Sequence, residues 1–240
     1  KGTGHFSHYN TATVPGLASD NIWTVADGGN GKLYIGHVHH GFSILSIKDK
    51  KVRNFVHDPN NRNSLPGNEV RCVYKDMNHN IWVGTNKGLA LFNPESENFI
   101  QFNSDGNLSH YIYDIRQLDG NKLWIAMEFG GIAIMDLSQR LFLLPEQTQF
   151  HYIREGDDGY SLSNSSARCI FQDSFKNIWT GVWGGGINFL SYEPPLFSGY
   201  YYSPNQNSIS RLNNKTASSI CVDSQDKLWI GTDGGGINVF

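Results

Sequence analysis

Two sets of positions, each at a fixed offset from a recurring aromatic, carry the side chains best able to hold a ligand. The aromatics are Tyr34, Trp82, Trp124, Trp179 and Trp229. Four residues after each stand Val38, Asn86, Glu128, Trp183 and Asp233, with Phe129 beside Glu128. Eleven residues before each stand Trp23, Arg71, Tyr113, Arg168 and Ser218. Exposed aromatics such as Trp183 and Phe129 stack on the apolar face of a sugar ring or anchor a protein partner. Two arginines and two aromatics converging on a central mouth would suit an acidic or hydroxyl-rich ligand. The competing readings are that exposed turns drift in sequence and that the second set is inter-blade packing with salt bridges; strand phase alone leaves both open.

His37, His39 and His40 invite a metal reading, because alternate residues on a strand share a face and imidazole is a common ligand. No second cluster supplies the remaining ligands. The expectation is therefore no metal, with His39 as a ligand contact from a polar turn. Catalysis would need paired carboxylates, a Ser or Cys nucleophile beside a His, or an organised metal set. The acids instead recur at turn positions, and the adjacent pair Asp157 and Asp158 is badly placed to flank a bond. The Gly-rich turns at 184–186 and 234–236 lie between strands with no helix N-terminus following, so they do not cradle phosphate. No catalytic residue and no cofactor is expected.

What positions these residues is a repeat. Each aromatic is followed by a small residue two positions on, then by a Gly-containing turn and an apolar strand. Apolar or small pairs precede it at a fixed offset: Ile22/Val25, Val70/Val73, Ile112/Ile115, Ala167/Ile170 and Ala217/Ile220. The spacing of about 40 to 55 residues is that of a propeller blade. Each unit reads as strand, polar turn, strand, Gly turn, strand, and then a fourth strand such as 98–103 or 197–203. Gly84, Gly181, Gly231 and Ala126 keep the second strand small where blades crowd, and the neighbouring Trp fills the gap. The fold expected is all-β: a β-propeller of four-stranded antiparallel blades at about 16–56, 66–103, 108–153, 163–203 and 214–240, forming one region over 1–240. A strand at 4–10 would complete the last blade and close a five-membered ring, hiding both sheet edges; the alternative is a piece of a longer array.

Composition agrees. Of 240 residues, 26 are Gly and 13% are aromatic, which fits a folded, turn-rich chain. With 19 Lys and Arg against 22 Asp and Glu, there is no basic field for a phosphate backbone, so nucleic acid is not an expected partner. No apolar run is long enough to span a bilayer. Cys72, Cys169 and Cys221 cannot all pair, and are expected to be buried thiols acting as small apolar residues. Polar connectors at 57–68, 154–166 and 203–214 read as surface loops, where recognition usually sits. Three N-x-S/T triplets, at Asn107, Asn164 and Asn214, are no more than such loops contain by chance.

The D-x-x-x-x-I/L-W-x-G pattern at 76–84, 173–181 and 223–231, the GGGIN turns at 184–188 and 234–238, and the DPNNRNSL connector at 58–65 resemble the two-component regulator propeller repeats. These occur in the periplasmic sensor region of hybrid two-component systems of Bacteroides-type bacteria. The likeness covers essentially the whole chain. It weakens in the first unit, where Tyr34 replaces Trp and Gly28 fills the Asp slot, and in the third, which has Leu118 in the Asp slot and Ala126 for Gly. The resemblance implies a periplasmic propeller that detects an oligosaccharide and signals to a kinase outside this chain to control polysaccharide use. It implies attachment to the membrane only through segments absent here, and allows a homodimer of the full-length receptor. A propeller polysaccharide lyase or hydrolase and a protein-interaction scaffold stand as the alternatives.

Overall fold

Five antiparallel sheets follow one another along the chain in the computed structural model, which describes residues 4, 6–102, 108, 110–118, 120–138, 145–156, 160–193, 201–202 and 211–240. The first contains β1 (Ile22–Gly29), β2 (Lys32–His37), β3 (Phe42–Ser46) and β4 (Val52–Phe55). The second contains β5 (Val70–Lys75), β6 (Ile81–Thr85), β7 (Gly88–Asn93) and β8 (Asn98–Phe102), and the third β9 (Ile112–Leu118), β10 (Lys122–Met127), β11 (Gly131–Asp136) and β12 (Phe150–Ile153). The fourth holds β13 (Ala167–Gln172), β14 (Ile178–Val182) and β15 (Gly186–Leu190). A short parallel pair, β16 (Tyr201–Tyr202) with β17 (Arg211–Leu212), precedes the fifth, made of β18 (Ala217–Val222), β19 (Leu228–Thr232) and β20 (Gly236–Val239). Strand order within every sheet is sequential, as in propeller blades, and β1, β5, β9 and β13 lie side by side as innermost strands.

The repeated Asp sets the turn between the first and second strands of a blade. The Asp76 carboxylate accepts the backbone N–H groups of Asn78 and Asn80 at 2.9 and 2.8 Å and the indole Nε1–H of Trp82 at 2.9 Å. Asp173 does the same for Phe175, Asn177 and Trp179, and Asp223 for Gln225, Lys227 and Trp229. One carboxylate thus satisfies a tight turn and fixes the Trp rotamer. Where the Asp is missing the lock changes. A Cβ on Gly28 would sit 3.1 Å from the Tyr34 ring, so the ring takes the room, while in the third blade Trp124 is buried with its Nε1 unpartnered.

The cores lie between consecutive blades. Tyr34 and Phe42 of the first blade pack with Val70, Ile81, Phe92 and Phe99 of the second; Trp82 and Phe102 pack with Ile112, Ile115 and Ile125 of the third; Trp124 packs with Ile170 and Ile178 of the fourth. Full burial of a side chain the size of Phe or Trp contributes roughly 2–3 kcal/mol. The small residue two places after the aromatic makes room at the same seam. A Cβ on Gly84 would lie 2.4 Å from Cys72 Sγ and 2.7 Å from Ile112 of the next blade.

Three expectations are corrected. Within 4–10, none of the described residues lies in a strand, so the ring closure is not formed; residues Val14 and Leu17 instead pack on Ile35 and Leu45 of the first blade. The fourth blade has three strands among the described residues, because Tyr201 and Tyr202 pair with Arg211 and Leu212 and not with β15; 197–200 and 203 lie outside them, as do Asn107, Asp157 and Asp158. Cys169 and Cys221 are exposed, because the seam that buries Cys72 is uncovered around the last two blades. The same difference shows in the aromatics: Trp82 is 0% and Trp124 5% exposed, against 38% for Trp179 and 36% for Trp229.

Candidate functional site

The two ligand sets turn out to share one rim. In every blade the first strand carries a β-bulge beside its partner, and the residue skipped by the ladder is Trp23, Arg71, Tyr113, Arg168 or Ser218. A bulge leaves one residue unpaired and re-aims its side chain. At the same end, the backbone N–H of each turn residue donates to the carbonyl of the residue preceding the inner strand: Val38 to Asn21, Asn86 to Glu69, Glu128 to Tyr111, Trp183 to Ser166 and Asp233 to Thr216. The turn slot and the bulge slot are therefore neighbours by construction, not alternative faces.

Across four blades the bulge side chains alternate as aromatic, cation, aromatic, cation. The Arg71 guanidinium carbon lies 4.6 Å from the Trp23 ring centre, 4.9 Å from Tyr113 and 4.7 Å from Tyr111. Arg168 lies 3.8 Å from Tyr113 and 5.1 Å from Trp183. Each contact falls within cation–π range. Tyr111 and Tyr113 are themselves stacked at 6.4 Å. The stretch Trp23–Arg71–Tyr113–Arg168–Trp183 is thus a continuous ladder crossing three blade seams.

Each cation is also held by a carboxylate. Arg168 donates to Glu128 at 2.7 Å, and Arg71 to Glu69 at 3.2 Å; His39 Nδ1 lies 3.5 Å from the other oxygen of Glu69. The two carboxylates and two guanidiniums are partly buried, while Trp183 is 69% and Trp23 50% exposed. The site therefore offers flat apolar faces at its edges and donor–acceptor pairs between them. Phe129, exposed at the rim, holds a left-handed backbone at φ 57° where the fourth and fifth blades have Gly184 and Gly234, and its N–H donates to Ser166 Oγ at 3.3 Å.

Of the residues singled out from sequence, Trp23, Arg71, Tyr113, Arg168, Glu128, Trp183 and His39 come together. Asn86 lies alongside, but its Oδ1 accepts the Glu69 N–H at 3.4 Å, so it supports the rim backbone. Ser218 on β18 and Asp233 in the turn after β19 belong to the fifth blade and take no part in the ladder. Glu69 and Tyr111 escaped the sequence reading. They belong to a third recurring slot, thirteen residues before each aromatic, whose members are otherwise the small polar residues Asn21, Ser166 and Thr216. Among the described residues no three His, Cys, Asp or Glu side chains are grouped to hold a metal ion; His37 is buried against Ser43 at 2.8 Å.

Comparison with known proteins accords with this architecture. Residues 64–87 and 211–234 match the model for the two component regulator propeller. The extracellular domain of the hybrid two-component system BT3049 from B. thetaiotaomicron is 57% identical, with a TM-score of 0.71, over 99% of this chain and 29% of that one. The corresponding domain of BT4673 from the same organism, at 16% identity and a TM-score of 0.61 over 96% of this chain and 31% of that one, shares the fold. Histidine kinase P4 of Formosa agariphila is 30% identical over 86 residues, which is 32% of this chain and 6% of that protein. The chain spans under a third of these extracellular domains. It carries two stretches that match the two-component regulator propeller repeat and is homologous to the extracellular domain of a hybrid two-component system.

Proposed function

We propose that this chain is part of the periplasmic sensor of a hybrid two-component histidine kinase and response regulator, and that its rim recognises an oligosaccharide whose binding controls polysaccharide use. The observation that carries the reading is the ladder: two aromatic platforms flanking two arginine–carboxylate pairs, the mixture of stacking and hydrogen bonding that a hydroxyl-rich ring requires. The region itself is non-catalytic in this reading, needs no cofactor, and binds no nucleic acid. Its signal passes to segments outside this chain, with a homodimer of the full receptor as the responding unit.

Calorimetry against plant, host and microbial oligosaccharides, with chromatography of the products, tests this. Binding without turnover supports the sensor. Turnover of any sugar replaces it with a lyase or hydrolase, and silence across the panel replaces it with a protein-interaction scaffold.

A further inference from the structure

We infer that the ligand taken by the rim is a neutral oligosaccharide, longer than one sugar unit, and not a uronate-bearing or sulfated one. The inference rests on the sensor reading above. It follows from charge. Two bare arginines at the mouth would select an anion, but neither is bare: Arg168 is 2.7 Å from Glu128, and Arg71 is 3.2 Å from Glu69. A further acid on the inner strands, Asp114, is held by Arg116 at 3.3 Å and by the Ile170 N–H at 2.9 Å. Each guanidinium of the ladder thus has a carboxylate of its own.

The consequence for a ligand is direct. At about 4 Å and an effective dielectric near 20, one unit charge attracts or repels another by roughly 4 kcal/mol. A ligand carboxylate brought to either guanidinium would meet the glutamate at similar range, so the two effects largely cancel and the cost of stripping its water remains. A hydroxyl has the opposite requirement, since it donates and accepts at once. Each arginine–glutamate pair presents a donor and an acceptor side by side, which fits adjacent hydroxyls on one ring. Trp23 and Trp183 stand at opposite ends of the ladder with both pairs between them, so a ligand using both platforms must cross more than one sugar.

The test uses the chain as it stands, titrated with neutral oligosaccharides, oligogalacturonates and sulfated glycosaminoglycan fragments at low and high salt. The expected result is binding of a neutral set, with affinity changing less than about twofold between about 50 and 500 mM NaCl, and with acidic sets at least about tenfold weaker. Strongest binding by an acidic set, lost at high salt, overturns the inference and leaves the sensor reading intact. Silence from all three sets removes the sensor reading and the inference together. A second arm uses the double variant Glu69→Gln, Glu128→Gln, which frees both cations. It should gain at least about tenfold for oligogalacturonate, a change weakened by salt; no gain would mean the glutamates do not set the charge preference.

Discussion

The guanidinium carbon of Arg168 lies 3.8 Å from the ring centre of Tyr113, across the seam between the third and fourth blades, while its nitrogen reaches Glu128 at 2.7 Å. A planar, weakly hydrated guanidinium stacks on the ring with its face while donating to the carboxylate from its edge, whereas a compact, strongly hydrated ammonium has no such fork. Arg168→Lys should therefore lower oligosaccharide affinity about tenfold, or about 1.4 kcal/mol, by calorimetry. The thermal midpoint should move little, because lysine keeps the charge opposite Glu128. Equal affinity for both proteins would show that the planar fork is not used.

Trp183 and Phe129 test the apolar part of the site. Trp183→Ala should leave stability within about 0.5 kcal/mol, as expected for so exposed a side chain, and weaken binding by about 1 kcal/mol or more.

Phe129 carries a further expectation, because its left-handed backbone costs an L-residue about 1–2 kcal/mol where glycine adopts it freely. Phe129→Gly should hold or raise the thermal midpoint while weakening the ligand. A lower midpoint would mean that the aromatic ring stabilises the fold and that the strain is not being retained for binding.

Much of this was legible in the sequence, for a physical reason. The Asp, Trp and Gly of each unit are local packing requirements, so Asp76, Trp82 and Gly84 announce turn, seam and crowding wherever they recur. The bulge slot was legible as a recurring position too, since Arg71 and Arg168 interrupt an otherwise apolar strand start. Its orientation was not, because a bulge shifts the phase of a strand by one residue and sequence alternation cannot reveal it. Glu69 and Tyr111 stayed hidden for a related reason: they stand one residue before a strand, where period-2 patterning has not begun. Ring closure failed because 4–10 has the composition of a strand, whereas pairing with the last blade depends on blade geometry that no local pattern encodes.

The seam makes its own prediction. A methyl on Gly84 would meet Cys72 Sγ at 2.4 Å and Ile112 Cγ2 at 2.7 Å, both in the packed core between two blades. Gly84→Ala should cost about 1–3 kcal/mol in denaturant unfolding. Gly231→Ala would meet the hydroxyls of Ser219 and Ser218 at 2.4 and 3.6 Å and Ser219 Cβ at 3.7 Å, all on an exposed strand, and should cost less than about 1 kcal/mol. Adding Cys72→Ala should recover part of the first loss; no recovery would place the strain at Ile112.

The turn carboxylates predict how stability responds to acid. The indole N–H of Trp179 lowers the pKa of Asp173, and that of Trp229 lowers Asp223, with the turn N–H groups adding to both. A carboxylate whose pKa is lower in the folded state stabilises the fold above its unfolded pKa of about 3.9, and the contribution fades as pH falls through the folded value. Asp114 acts with the opposite sign: burial raises its pKa, so its contribution is present at low pH and is lost as pH rises. The two effects are separated by removing the indole donors alone. In the double variant Trp179→Phe, Trp229→Phe each ring is kept as an aromatic while the Nε1–H is lost. The thermal midpoint of the variant should lie below that of the parent chain at pH 7, and the two curves should converge as pH falls below about 4 and the carboxylates protonate. Parallel curves over that range would mean that the indoles stabilise the blades through packing and not through the charge on Asp173 and Asp223.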